Sequence, residues 1–102
     1  MSFSVVWEFH VPADNREAFE RAYGSEGPWV DLFEEADGFL GTWLLRDKEH
    51  AGKYLSHDRW VSREAYEEFK RRFADRYQTM DDEMDGLATR ETYIGTFDEV
   101  TG

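Results

Sequence analysis

A chain of 102 residues is long enough for one domain with an ordinary hydrophobic core, and we read residues 1–102 as that domain. Its 12 basic and 23 acidic residues leave a net charge of -11, which argues against nucleic acid as a partner because phosphate backbones reward a positive patch. There is no cysteine, no run of about 18 apolar residues and no basic region in the N-terminal MSFSVVWEFH, so we expect a cytoplasmic protein without disulfides, membrane span or signal peptide. Aromatic residues make up 17% of the chain. So many large flat groups in a small acidic domain point to a large buried interface or to a pocket for a planar ligand.

Phe3 to Val11 alternates as a strand, with Val5, Trp7, Phe9 and Val11 on one face and Val6, Glu8 and His10 on the other, until Pro12 ends it. Asp14, with Glu17 three residues on, has the pattern of a capping box for a short helix whose stripe is Ala18, Phe19, Ala22 and Tyr23; Gly24 stops it. Gly27 and Pro28 open a further turn or two that places Trp29, Leu32, Phe33 and Ala36 on one side. Asp37 and Gly38 turn the chain into a second strand, Phe39 to Arg46, and a polar loop leads to a third, Tyr54 to Val61. On that third strand Tyr54, Ser56, Asp58 and Trp60 share one face, and Leu55, His57, Arg59 and Val61 the other. Ser62 is placed to cap a long helix with the stripe Tyr66, Phe69, Phe73, Tyr77, Met80 and Met84, running to about Gln78 and, after a break, to Met84. The acidic cluster Asp81, Asp82, Glu83 and Asp85 reads as a solvated face at the helix end, and Thr89 to Phe97 as a last strand interrupted by Gly95. The order β, α, α, β, β, α, β fits an α+β, ferredoxin-like split βαβ sheet with its helices on one face. Both faces of its strands are apolar, so the face without helices needs a cover, and a second copy of the sheet is the simplest one.

Several side chains are candidates for chemistry. Asp58, beside Ser56 on the Trp60 face, is a pocket acid or base, or else one half of a salt bridge with an arginine. Trp60 is a pocket wall or plain core, and the Tyr66 ring either serves a pocket through its hydroxyl or packs on Val61 as a hydrophobic staple. Trp7, Trp29 and Trp43 read as core or interface. His57 lies opposite to Trp60 and faces the partner sheet; His50 sits in a polar loop. His10, Glu8 and His57 together make a two-histidine, one-carboxylate set, with a spacing that is not specific for metal. With no clustered histidine motif and no glycine-rich phosphate loop, neither metal nor other cofactor is expected.

The segments WEFHV, DNREAFERAYG, GPWVDLFEEADGFLGTWLLRD, YLSHDRWVSREAYEEFKRRF and ETYIG, in this order, resemble the antibiotic biosynthesis monooxygenase (ABM) family of dimeric α+β barrels. The resemblance implies a homodimer with facing sheets and a pocket in each subunit between sheet and helices. It also implies a cofactor-independent monooxygenase that oxidises an aromatic or polyketide-derived small molecule with molecular oxygen, the deprotonated substrate itself giving up the electrons. In the family's oxygenases an Asn, a Trp four residues later and a Tyr six residues after that line the pocket. Trp60 and Tyr66 match the last two, and Ser56 stands at the Asn position, with one donor in place of the amide's separate donor and acceptor. An Arg found in some members would fall near Met80. Haem-degrading relatives ligate iron through a histidine on the second helix, and no histidine follows His57. A non-catalytic dimeric binding module and a small isomerase or cyclase on the same scaffold remain open beside the oxygenase.

Overall fold

The computed structural model describes residues 2–100. Eight elements follow the expected order: β1 (Phe3–His10), α1 (Arg16–Tyr23), α2 (Pro28–Phe33), β2 (Phe39–Arg46), β3 (Lys53–Trp60), α3 (Arg63–Arg72), α4 (Ala74–Met84) and β4 (Arg90–Asp98). The strands form one four-stranded antiparallel sheet in the order β2-β3-β1-β4. Each βαβ crossover therefore skips one strand, which is the split βαβ arrangement of an α+β ferredoxin-like fold.

Two glycine bulges on the outer strands decide which side chains meet the helices. Phe39 pairs with Trp60 and Gly41 with Arg59, so Leu40 is an extra residue; on β4 Gly95 pairs with Val6 and Tyr93 with Trp7, so Ile94 is extra. Both glycines take φ values that disfavour a side chain, +156° at Gly41 and +153° at Gly95. Each bulge switches the alternation of its strand. Phe39 and Thr42 thus both face the helices, and on β4 Tyr93 faces them while Phe97 joins Trp43 and Leu45 on the open face.

Two expected boundaries move. Asp14 does not cap α1: after Pro12 the chain winds a 3-10 turn over Ala13–Asn15, and Asn15 occupies the N-cap position. The Asn15 amide donates instead to the carbonyls of Gly86 and Leu87 at 3.3 and 3.2 Å, tying α1 to the segment before β4. The break in the long helix falls at Phe73 (φ -111°, ψ 22°) rather than after Gln78, with Phe73 stacked on Phe69 and flanked by Arg72 and Arg76. Ser62 caps α3 as expected, accepting from the Ala65 amide at 3.1 Å.

The core divides into two clusters under the helices. One gathers Phe3, Val5, Trp29, Leu32, Phe33, Trp60 and Phe69; the other gathers Phe9, Val11, Phe19 and Tyr54. Trp7 and Tyr23 touch both. Across the sheet the open face leaves Trp43, Leu45 and Phe97 about half exposed (47, 52 and 50%).

Candidate active site

Between the two clusters lies a cavity of about 190 Å³. Its floor comes from the strands: Ser56 and Asp58 on β3, two residues apart, and Thr42, which stands opposite Asp58 on β2. Serine and threonine are too short to fill the space below α1 and α2, which is why the sheet and helices part here. The walls are aromatic, made by Trp7, Phe9, Tyr23, Trp29, Phe33 and Tyr77. Asp81, one helical turn beyond Tyr77 on α4, and Glu91 on β4 are solvent-exposed and mark the mouth.

Asp58 is the charge of the floor, a half-buried residue whose carboxyl is largely withdrawn from water. The Thr42 hydroxyl donates to its Oδ1 at 2.7 Å, while burial pushes the carboxyl up to about 6, a shift that the Thr42 bond only partly opposes. The alternative reading of Asp58 as an arginine partner does not hold, since its neighbour Arg59 lies on the open face, over the Trp43 ring. Burial also pushes Tyr23 up to about 12, helped by the negative charge of Glu91. Trp29 Nε1 comes near enough to the Tyr23 oxygen to oppose that shift slightly but lacks hydrogen-bond geometry, so a buried indole donor beside the cavity has no partner among the described residues.

The four residues expected at the site are divided by the structure. Ser56 and Asp58 line the cavity, whereas Trp60 and Tyr66 do not. Trp60 is fully buried one layer back, with its ring centroid 5.8 Å from that of Phe33 and 5.1 Å from Phe69. Tyr66 packs on Phe3 and Trp60, and its hydroxyl is pushed up to about 12, first by burial and then by the Asp58 charge. Among the histidines, His10 meets Glu8 at 2.8 Å, but His57 lies opposite Val6 and pairs with the Ser4 hydroxyl at 2.8 Å on the open face. The three do not gather, and no group of three His, Asp or Glu suited to a metal occurs among the described residues. His50 is exposed beside Asp47. Thr42, Tyr23, Tyr77, Asp81 and Glu91 were not singled out as site residues from the sequence. Of the acidic cluster read as a solvated helix end, Asp81 alone lines the cavity.

The family model for antibiotic biosynthesis monooxygenases matches residues 2–84, and the chain belongs to that family. Solved structures of the same fold include a candidate antibiotic biosynthesis monooxygenase from Bordetella bronchiseptica, with 18% identity, 98% of each chain covered and a TM-score of 0.78. SnoaB, a cofactor-independent oxygenase from Streptomyces nogalater, matches at 18% identity over 99% of this chain and 95% of its own, with a TM-score of 0.67. An arginine-to-serine mutant of MhuD, with two manganese protoporphyrin IX molecules bound per active site, matches at 22% identity over 98% of this chain and 96% of its own, with a TM-score of 0.70. No curated protein sequence matches the chain. No helix among the described residues is long and apolar enough to cross a membrane.

Proposed function

We propose that this chain is a monooxygenase-like enzyme that oxidises a flat aromatic molecule with molecular oxygen, without a cofactor, and works as a homodimer. Family membership supports the reaction class. The observation that carries the assignment to this cavity is Asp58: a buried carboxylate raised to about 6, at the floor of an aromatic-walled pocket, is a base poised near neutral pH. A cavity of about 190 Å³ is comparable with the roughly 150 Å³ space that takes up one benzene, so it suits one or two fused rings, with anything larger projecting past the mouth. A porphyrin exceeds that volume.

In the proposed reaction on an anthrone-type phenol, Asp58 takes the proton from the reacting carbon and the resulting anion gives an electron to oxygen. Recombination makes the carbon–oxygen bond, and loss of water leaves the quinone, so that one anthrone and one O2 become one quinone and one H2O. Ser56 and Thr42 border the same floor and are the polar groups available to an oxygen atom there. Trp60 and Tyr66 act from behind, holding Phe33 and the start of α3 in place. The dimer covers the open face, where Trp43, Leu45 and Phe97 are exposed and Arg59 Nε is buried without a partner among the described residues.

Binding without turnover is favoured by one feature, the lack, among the described residues, of any Lys, Arg or His in the cavity wall to steady an anion. An oxygen electrode separates the two. With 1,8-dihydroxyanthrone we expect protein-dependent oxygen uptake that falls about 10²–10⁴-fold in Asp58→Asn. Binding of this probe with no uptake above the protein-free rate assigns the pocket to a binding module.

A further inference from the structure

Asp58, Asp81 and Glu91 come from β3, α4 and β4 and converge on one cavity with six aromatic rings in its wall. Neither Asp81 nor Glu91 forms an ion pair or side-chain hydrogen bond among the described residues, and no basic side chain lines the space. We propose that the pocket selects a cationic ligand, an organic ammonium carried on a flat ring system, with the ring between the aromatic walls and the ammonium at the mouth between Asp81 and Glu91. This rests on the reading of the cavity as the substrate site and names the substrate class for it.

Three observations converge on an organic cation. The carboxylates do not come together as a metal set among the described residues, so their charge is spread around the cavity and not focused on one point. That field acts on its neighbours: partial shielding from water, and then the charges of Asp81 and Asp85, hold the exposed Glu91 above its ordinary range, and Tyr23 is pushed up by burial and by Glu91. In the wall, Tyr23 feels the charge of Glu91 and Tyr77 that of Asp81, and aromatic rings beside carboxylates are the surroundings in which an ammonium is held by cation–π attraction as well as by charge. An anion of the same shape meets repulsion from both sides of the entrance. The charge also suits the proposed chemistry. When Asp58 takes a proton its negative charge passes to the ligand, and an ammonium on that ligand offsets the charge which the bare pocket cannot.

The test uses three probes of one shape, 2-naphthylmethylammonium, 2-naphthylmethanol and 2-naphthoate, titrated calorimetrically at low and at physiological ionic strength. We expect the ammonium to bind at least about ten-fold more tightly than the alcohol, with the gap narrowing as salt rises, and the carboxylate to bind most weakly. In the double variant Asp81→Asn, Glu91→Gln the ratio of ammonium to alcohol affinity should fall towards one. Equal affinities for ammonium and alcohol, or a ratio that the double variant leaves unmoved, overturns the cation proposal while the pocket stands. If the folded protein binds none of the three, the reading of the cavity as a substrate site fails and the proposal goes with it.

Discussion

Asp58 and Trp60 stand two residues apart on the same face of β3, and their surroundings could hardly differ more. Around Trp60 the rings of Phe33, Phe39, Tyr66 and Phe69 close on every side within 5.1–5.8 Å, so the end of the strand and the start of α3 form solid core. Around Asp58 the neighbours on the sheet are Thr42 and Ser56, and the space above them is open. The same period of two that buries Trp60 buries a carboxylate one step earlier. Short polar side chains on adjacent strands, rather than a missing element, make room for a ligand here.

The sharpest way to break this comparison is to damage the packed end and ask whether the open end notices. Trp60→Ala removes a fully buried indole and should cost about 3–5 kcal/mol in chemical denaturation, a large share of the stability of so small a domain. Trp60→Phe keeps a ring, should cost about 0.5–3 kcal/mol and leaves the fold available for binding measurements. We expect its affinity for a verified ligand to change less than three-fold, since of the four rings packed on Trp60, Phe33, Phe39, Tyr66 and Phe69, Phe33 alone also lines the cavity. A ten-fold loss of affinity with the fold intact would make Trp60 part of the site and erase the distinction between the two regions.

The second measurement acts on the open end through pH. The Asp58 carboxyl is raised from its ordinary 3.8 to about 6 in the folded protein, so the folded state favours its protonated form. Ionising it while buried costs stability. The penalty is absent below the unfolded value, grows as pH rises through the interval between the two, and is complete above about 6, at roughly 3 kcal/mol as an upper figure. Asp58→Asn should therefore flatten this part of the stability curve and, above the interval, be more stable than the parent. Thr42→Val removes the bond that opposes the shift, so the titration seen by carboxyl infrared or NMR should move further up. Activity should have the opposite sign to stability, rising through the same interval as the base ionises. A carboxyl that titrates at its ordinary value would show the floor to be wetter than the geometry implies.

The facing of β3 is legible in the sequence but this division is not, since the sequence places Trp60 and Tyr66 in one site with Ser56 and Asp58. Alternation put Tyr54, Ser56, Asp58 and Trp60 on one face, and the ladder keeps them there; Ser62 was the right cap because a serine just before a helical stripe has one obvious use. Asp14 had the same local credentials and lost to a 3-10 turn, since the contacts of Asn15 with Gly86 and Leu87 depend on residues more than seventy positions away. The mouth was hidden for a related reason. Asp81 looks like any acidic residue at a helix end, and only the fold brings it beside Glu91 and Tyr23. Thr42 gave a weak signal as a polar residue within an apolar strand, but its partner Asp58 could be named only once the bulge at Leu40 had fixed the register.

The smallest expected effect belongs to Tyr66, which lies between the two regions. Its ring packs on Phe3 and Trp60, which places it with the solid core, while its hydroxyl feels the charge of Asp58, which places it near the floor. Tyr66→Phe separates the two, because the ring contacts survive and the hydroxyl is lost. As Tyr66 does not line the cavity, we expect stability within about 0.5 kcal/mol of the parent and unchanged affinity for a ligand that the parent binds. A hydroxyl that donates to the bound ligand would instead cost about 0.5–1.5 kcal/mol in binding, readable as a two- to ten-fold rise in dissociation constant. That result would extend the site along the start of α3, and the packed end would then supply one polar atom to an otherwise separate pocket.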